Sequence, residues 1–241
     1  ARGTKHREDK ISEERKNLLT PRSDFFVREA YKALRTNVSF ALEGEENCKV
    51  IVVTSSLQGE GKSITAMNLA ISYAMTDRKV LVIDCDLRRP KVARLMQMSA
   101  KYGLSNVIVN PDLLEQAILP TSVKGLNIML SGDIPPNPSE LLSSAKMQSL
   151  LGKLREMYDF IILDPPAFTK SRKTVANAIS GYKEINYRAM KLLPRGGYLA
   201  TCSCSHFMTD TYFKQMLPVN AIDYTPPIAV MLVIDASASM S

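Results

Sequence analysis

Apolar residues recur along the chain with two different spacings, which predict helices alternating with buried strands. From 24 to 42 they lie three or four residues apart, as on one face of a helix. Short continuous apolar runs predict strands that are covered on both faces, as in a parallel sheet. The predicted strands are 49–54, 80–83, 126–130, 160–163, 197–203 and 228–234. The predicted helices are 24–42, 63–75, 88–98, 141–158, 172–193 and 210–217.

The size and the cysteine positions limit the class of protein. A chain of 241 residues with 45% hydrophobic content can bury one substantial core, so one large domain is expected. The four cysteines, Cys48, Cys85, Cys202 and Cys204, form no Cys-x-x-Cys pair, which argues against a disulfide framework. The longest apolar run, 228–234, is far shorter than the roughly 20 residues that span a bilayer. We therefore expect a cytoplasmic protein, with any membrane association made through a partner.

Positive charge is concentrated in one part of the chain. The net charge is +7, and the segment 165–195 holds seven basic side chains against one acidic side chain, Glu184. A solvated helix face explains this segment better than a nucleic-acid site, although both interpretations stay open. Residues 1–18 are mostly polar or charged, and we expect them to form a flexible arm.

The loop between the first predicted strand and the next helix has the pattern of a phosphate site. It reads Ser55-Ser56-Leu57-Gln58-Gly59-Glu60-Gly61-Lys62-Ser63. It matches G-x-x-x-x-G-K-[ST], except that Ser56 stands at the first glycine. Glycines let successive amides face an anion, Lys62 suits β/γ-phosphate oxygens and the Ser63 hydroxyl suits Mg²⁺. We expect ATP and Mg²⁺ as cofactors, with nucleotide contacts from Ser56, Gly59, Glu60, Gly61, Lys62 and Ser63.

Three aspartates follow two other predicted strands. Asp84 and Asp86 come directly after strand 80–83, and Asp164 follows strand 160–163. Ligands of parallel α/β sheets bind at the carboxyl ends of the strands, so the three carboxylates are predicted to lie near the phosphate loop. Mg²⁺ needs few protein carboxylates, which leaves one of the three free to act as a base or to position water. The predicted architecture is a three-layer, P-loop NTPase-like α/β domain with a mostly parallel sheet.

Four segments together carry a family resemblance over about residues 19–164. They are Glu29–Asn37, Thr54–Ser63, Asp84–Pro90 and Gly132–Leu142. These segments resemble the bacterial tyrosine kinases of capsule and exopolysaccharide synthesis, which are related to division-site and plasmid-partition ATPases. Leu57 and the segment 132–142 separate the chain from the partition ATPases.

The resemblance implies transfer of the ATP γ-phosphoryl group to tyrosine. It assigns Lys62 and Ser63 to phosphate and Mg²⁺, Asp86 and Asp164 to the metal, and Asp84 or Asp86 to the acceptor hydroxyl. It also implies a homo-oligomeric ring and activation by a transmembrane polysaccharide chain-length regulator. Glu29, Lys32 and Arg35 match the ring-interface motif, with lysine at its first arginine.

The last third of the chain resembles other families. Residues 164–217 resemble ribosomal RNA cytosine-5 methyltransferases, in which the cysteine matching Cys204 is the nucleophile. Residues 226–241 resemble the start of a von Willebrand factor A domain. The donor-binding part of a methyltransferase is missing upstream, and the tyrosines after Asp164 are scattered instead of clustered. The predicted division is therefore an arm (1–18), a kinase-like core (19–164) and a foreign segment (165–241) completing the same sheet.

Three functions stay open from the sequence. The first is an ATP/Mg²⁺-binding tyrosine kinase or weak ATPase with impaired autophosphorylation. The second is an RNA-binding or S-adenosylmethionine-dependent methyltransferase-like protein that uses Cys204. The third is a chimera without activity, whether engineered or assembled by accident.

Overall fold

The structure is a computed structural model. It describes residues 14–42, 48–54 and 61–166, together with the strands 199–202 and 231–234. The predicted helices 172–193 and 210–217 lie outside the described residues, as do Cys204 and most of the basic segment 165–195.

Within the described ranges, strands and helices alternate in a single sheet-based domain. The strands are β1 (Lys49–Thr54), β2 (Val80–Asp84), β3 (Ile118–Pro120), β4 (Leu126–Met129), β5 (Phe160–Asp164), β6 (Leu199–Cys202) and β7 (Met231–Ile234). The helices are α1 (Phe25–Ala41), α2 (Lys62–Ala74), α3 (Val92–Met96), α4 (Leu104–Val109), α5 (Leu114–Ala117), α6 (Pro138–Leu142) and α7 (Ala145–Met157), and a 3₁₀ turn spans Pro111–Leu113.

The sheet has the order β3-β4-β2-β5-β1-β6-β7. All neighbouring strands run parallel except β3, which pairs antiparallel with β4. Strands β6 and β7 extend the sheet beyond β1. The mostly parallel α/β sheet is therefore confirmed.

Alternate residues of the central strands feed two separate cores, one on each face of the sheet. Val80 and Val82 of β2 pack with α1 and α2, whereas Leu81 and Ile83 pack with α4 and α7. These four side chains have no solvent exposure. Because successive strand residues point to opposite faces, a fully apolar strand needs a helical layer on each side. This arrangement gives the three layers that the sequence predicts.

Two predicted helices are shorter than expected because side chains compete for their first amides. The prediction 88–98 is reduced to α3, since Asp86 Oδ1 accepts hydrogen bonds from the amides of Arg88 and Arg89. The prediction 141–158 is divided, since Ser144 caps a new helix by accepting a hydrogen bond from the Met147 amide. Both corrections come from short polar side chains that end or start a helix.

Three central strands end at the same edge of the sheet. Strand β5 lies between β1 and β2, so Thr54, Asp84 and Asp164 finish next to one another. Helix α2 starts at this same edge, after the loop that follows β1. The fold therefore places a helix N-terminus beside two strand-end carboxylates. In the described residues, no helix has the length and apolar character needed to cross a membrane.

Candidate functional site

The phosphate loop is described from Gly61 onward, and Ser56, Gly59 and Glu60 lie outside the described residues. Gly61 has φ 81° and ψ 5°, a left-handed conformation that L side chains rarely adopt. Its carbonyl accepts the first hydrogen bond of α2 from the Thr65 amide at 2.8 Å. Among the described side chains none caps the N-terminus of α2. Its first amides and its positive dipole end are therefore available to an anion.

Lys62, the first residue of α2, forms an ion pair with Asp164 at the end of β5. The Lys62 ammonium donates a hydrogen bond to Asp164 Oδ1. The side chains are only 9% and 2% exposed, respectively, so the pair is almost entirely out of water. A buried pair of this kind holds both groups in place, and it leaves the lysine beside the helix N-terminus.

Asp84 is the direct neighbour of Asp164 in the parallel register of β2 and β5. Asp84 is fully buried, and its two carboxylate oxygens accept hydrogen bonds from the amides of Asp86 and Val92, each at 3.1 Å. Burial and, secondarily, the negative charge of Asp164 raise the pKa of Asp84 to about 7. The site therefore has more buried negative charge than Lys62 alone compensates.

Asp86 has a different environment from the other two carboxylates. It is half-buried, and its Oδ1 accepts hydrogen bonds from the amides of Arg88 at 3.3 Å and Arg89 at 3.0 Å. The structure thus brings Asp84 and Asp164 together, whereas Asp86 lies two residues after Asp84, in the loop that follows β2. Across the described residues, no group of three His, Cys, Asp or Glu side chains is placed to hold a metal ion.

Thr54 is a residue of this site to which the sequence analysis gave no role. It ends β1 and is 2% exposed, and its Oγ1 has no hydrogen-bond partner within the described part of the chain. An unpaired buried hydroxyl costs free energy, so a bound group at this position gains by pairing with it. Thr54 is the last strand residue before the phosphate loop, and this position in the sequence could have identified it as a residue of the site.

The donor set fits a nucleotide triphosphate with Mg²⁺. Lys62 and the uncapped start of α2 supply positive charge and amides for phosphate oxygens. Ser63, Asp84 and Asp164 supply the hydroxyl and carboxylate oxygens that Mg²⁺ prefers. The orphaned Thr54 hydroxyl adds a further oxygen at the same edge. A divalent cation at this edge would compensate the excess carboxylate charge.

The three residues of the predicted ring interface lie on α1. Lys32 pairs with Glu29 at 2.6 Å, and both side chains are exposed, 57% and 44% respectively. Arg35 turns inward, and its guanidinium donates to the Ser72 carbonyl at 2.7 Å and to its hydroxyl at 3.3 Å. Arg35 therefore joins α1 to α2 within the chain. The interface itself stays a prediction.

Cys48 and Cys85 are free thiols with little thiolate character. Burial raises the pKa of Cys48 to about 11. It also raises the pKa of the fully buried Cys85, and the nearby Asp84 carboxylate adds to this effect. Neither thiol suits nucleophilic chemistry near neutral pH. The predicted nucleophile Cys204 lies outside the described residues.

A cavity of about 910 Å³ lies away from these groups. Arg35, Lys49, Tyr73, Arg155 and Phe160 are among the residues that line it. Lys49 and Phe160 start β1 and β5, so the cavity is at the amino ends of the strands. It is therefore separate from the carboxylate cluster at the opposite edge.

Comparison with known proteins gives both a family and individual relatives. The AAA_31 family, an AAA domain, matches residues 48–187, more than half of the chain. The tyrosine-protein kinase YwqD of Bacillus subtilis is 42% identical over 138 residues, which cover 57% of this chain and 58% of that protein. The tyrosine-protein kinase CpsD of Streptococcus agalactiae is 34% identical over 159 residues, which cover 65% of this chain and 67% of that protein. The chain thus spans less than two thirds of the Bacillus relative's length.

Solved structures agree with the sequence relatives. The chimerical protein CapA2B2 superposes with a TM-score of 0.64 at 28% identity, covering 89% of this chain and 86% of that one. The septum site-determining protein MinD of Pyrococcus horikoshii, solved with Mg-ADP, has a TM-score of 0.52 at 18% identity, covering 77% of this chain and 81% of that one. The MinD likeness shows the fold alone, and it confirms the predicted P-loop NTPase-like architecture. The methyltransferase and von Willebrand resemblances stay predictions.

Proposed function

This chain belongs to the AAA domain family and, within it, to the bacterial tyrosine-protein kinases, and we propose that it binds Mg-ATP and phosphorylates tyrosine. The observation that carries the proposal is the buried group of Lys62, Asp164 and Asp84 beside the N-terminus of α2. A cation, two carboxylates and free helix amides are the parts that phosphoryl transfer requires. The named relatives support tyrosine as the acceptor.

Each residue of the group has a proposed role. Lys62 would leave Asp164 to contact β/γ-phosphate oxygens, and Ser63 and Asp164 would hold Mg²⁺, which would neutralise charge on the phosphates. Ser56, Gly59, Glu60 and Gly61 would supply backbone amides to the phosphates. Because a cation next to Asp164 replaces the Lys62 ammonium, nucleotide and metal are expected to bind together.

Asp86 is the better of the two candidates to assist the acceptor hydroxyl. Asp84 is fully buried with both oxygens hydrogen-bonded, whereas Asp86 is half-buried. A carboxylate can act as a base only if it can reach the substrate proton, so accessibility is considered before pKa. In the transfer, a bond forms between the tyrosine oxygen and the γ-phosphorus, and the bond from that phosphorus to the β-γ bridging oxygen breaks. ADP leaves, and the hydroxyl proton passes to the Asp86 carboxylate.

The cellular setting is proposed from the same family. The relatives support a kinase of capsular or exopolysaccharide synthesis that works with a transmembrane chain-length regulator. A homo-oligomeric ring through Glu29 and Lys32 is part of this proposal, with Arg35 acting from inside the chain. Location in the cytoplasm, with membrane association through that partner, follows from it.

Titration of the full chain with a fluorescent ATP analogue, with and without Mg²⁺, tests the first step. Lys62→Ala is expected to weaken Mg-ATP binding at least about tenfold, because it removes the phosphate cation. Lys124→Ala, which removes a 95% exposed lysine, is the matched control and is expected to bind like the wild type. Wild-type protein that binds no nucleotide would contradict the proposal.

Phosphotyrosine formation on an added tyrosine peptide tests the second step. Wild-type protein with Mg-ATP is expected to phosphorylate the peptide, and Asp86→Asn is expected to lower the rate about 100-fold while retaining nucleotide binding. ATP hydrolysis without any phosphotyrosine would make the protein an ATPase instead of a kinase.

A further inference from the structure

The loop after β2 carries positive charge that the proposed nucleotide site does not use. Arg88 and Arg89 are exposed, Lys91 is half-buried, and Arg94 is exposed on α3. Throughout the described ranges, none of these four side chains forms an ion pair. Arg88 donates one hydrogen bond, from Nη2 to Ser139 Oγ at 3.3 Å. The loop therefore presents uncompensated cations to solvent.

The backbone of this loop is held at both ends by carboxylates of the site. Asp86 Oδ1 accepts from the amides of Arg88 and Arg89, and Asp84 Oδ2 accepts from the amide of Val92. Between them, Leu87 is 1% exposed and anchors the loop in the core. The two arginine side chains thus extend from a fixed backbone next to Asp86. A fixed backbone lowers the entropy lost when such side chains bind a partner.

We propose that Arg88, Arg89 and Lys91 form a recognition surface for an acidic peptide that presents its tyrosine to Asp86. The inference rests on the proposed function, since it names the substrate class of that same site. The arginines follow Asp86 by two and three residues, so a peptide with its tyrosine at Asp86 brings flanking carboxylates to the guanidinium groups. Arginine binds a carboxylate through two parallel hydrogen bonds, so the contact has a defined geometry in addition to the attraction between opposite charges.

The charges of the neighbouring segment favour a short peptide over a nucleic acid. Asp133 and Glu140 are exposed acidic residues on the segment that Arg88 reaches through Ser139. The Asp133 carboxylate accepts from Asn106 Nδ2, and Glu140 accepts from Asn137 Nδ2. Nucleic-acid sites need a longer basic stripe that follows a phosphate backbone. A short group of basic residues with acidic residues on the neighbouring segment suits a peptide with a few carboxylates better than a nucleic acid.

Two fluorescein-labelled peptides of equal length test the proposal by anisotropy with the full chain. Both contain one central tyrosine, flanked by glutamates in one peptide and by glutamines in the other. The acidic peptide is expected to bind about three- to tenfold more tightly, because several exposed ion pairs add small contributions. This preference is expected to shrink as ionic strength rises from about 0.05 M to about 0.5 M.

The double variant Arg88→Gln/Arg89→Gln is expected to bind the two peptides equally. The double variant Lys124→Gln/Lys153→Gln removes the same charge from exposed positions elsewhere, and it is expected to keep the preference. Equal binding of the peptides to the wild type, or equal loss in both double variants, would overturn the proposal. So would a single-stranded oligonucleotide that displaces the acidic peptide at lower concentration than the peptide itself.

The peptide measurement needs no catalysis, so its outcome is separate from that of the proposed function. If the wild type binds no ATP but still prefers the acidic peptide, the proposed function fails while the recognition surface stands. If it phosphorylates both peptides with equal kcat/KM and binds them equally, the proposed function stands and the surface fails.

Discussion

Asp84 and Asp164 lie side by side at the ends of β2 and β5, but among the described residues only Asp164 is paired with a cation, the Lys62 ammonium. Within the described part of the chain, the hydrogen bonds to Asp84 come from the backbone amides of Asp86 and Val92. One carboxylate thus holds the lysine, while the other is poised between its protonated and charged forms, because burial raises its pKa to about 7. The two aspartates are therefore expected to respond differently to substitution.

Asp84 is expected to make the protein less stable as pH rises. The ordinary pKa of an aspartate side chain is 3.8, and burial raises the pKa of Asp84 in the fold to about 7. Below both values the group is protonated in both states and has no effect. As pH rises from about 4 to about 7, the unfolded state ionises first, so the folded state loses stability by up to about 1.36 kcal/mol per pH unit. The total loss is about 4 kcal/mol.

The measurement is urea unfolding between pH 5 and pH 8 in EDTA, without nucleotide. The variant Asp84→Asn cannot ionise, so its stability relative to the wild type is expected to increase with pH. The two proteins are compared by how their free energy of unfolding changes with pH. Its absolute value is not compared, because the asparagine side chain cannot accept hydrogen bonds from both backbone amides. Far-UV circular dichroism checks that the variant is folded, and parallel stability curves would contradict the assignment.

The ion pair of Lys62 and Asp164 predicts non-additive substitutions. Lys62→Met leaves the Asp164 carboxylate buried without its cation and is expected to cost about 3–5 kcal/mol of unfolding free energy. The double variant Lys62→Met/Asp164→Asn removes the charge as well, and it is expected to recover at least about 1 kcal/mol of that loss. Urea unfolding of the wild type, both single variants and the double variant measures the coupling. Simple addition of the two single effects would show that the pair does not interact.

The central strands were predictable because their apolar runs end at polar residues. The predicted strands 49–54, 80–83 and 160–163 agree with β1, β2 and β5 within one residue. Such runs need two covering layers wherever they occur, so the sheet follows from local pattern alone. The three aspartates were predictable for the same reason, since Asp84 and Asp164 end β2 and β5 and Asp86 follows β2 by two residues.

The partners within the site were not predictable from local pattern. Lys62 and Asp164 are 102 positions apart, and only the placement of β5 between β1 and β2 joins them. The hydrophobic pattern also predicts no element between residues 99 and 125. Its helices α4 and α5 and its strand β3 have six, four and three residues, respectively, which is too short for a periodic signal.

Two glycines in the described residues predict opposite effects of an alanine substitution. Gly132 has φ 78°, and a Cβ there would lie 2.6 Å from Ser105 Oγ and against Asn106 Oδ1. Both atoms are held by hydrogen bonds to other residues, so Gly132→Ala is expected to lose about 2–4 kcal/mol. Gly152 lies within α7 and is exposed, so Gly152→Ala is expected to gain about 0.5–1 kcal/mol. Thermal unfolding of both variants measures these effects. A destabilised Gly152→Ala protein would contradict the open space that the structure shows around Gly152.

Asn68 is expected to hold the N-terminal segment against the helix that starts at Lys62. Its side chain is 1% exposed, its Oδ1 accepts from the Leu19 amide at 2.7 Å, and its Nδ2 donates to the Asn17 carbonyl at 2.9 Å. Asn68→Leu keeps the volume but leaves both backbone groups unpaired, at a cost of about 1–3 kcal/mol. Hydrogen exchange followed by mass spectrometry is expected to rise in residues 17–23 and to stay unchanged in β2. Thr76→Val, which removes a single hydrogen bond to the Tyr73 carbonyl near the other end of the helix, is the matched control. If the exchange of residues 17–23 is the same in the Asn68→Leu protein and the control, Asn68 does not hold the segment.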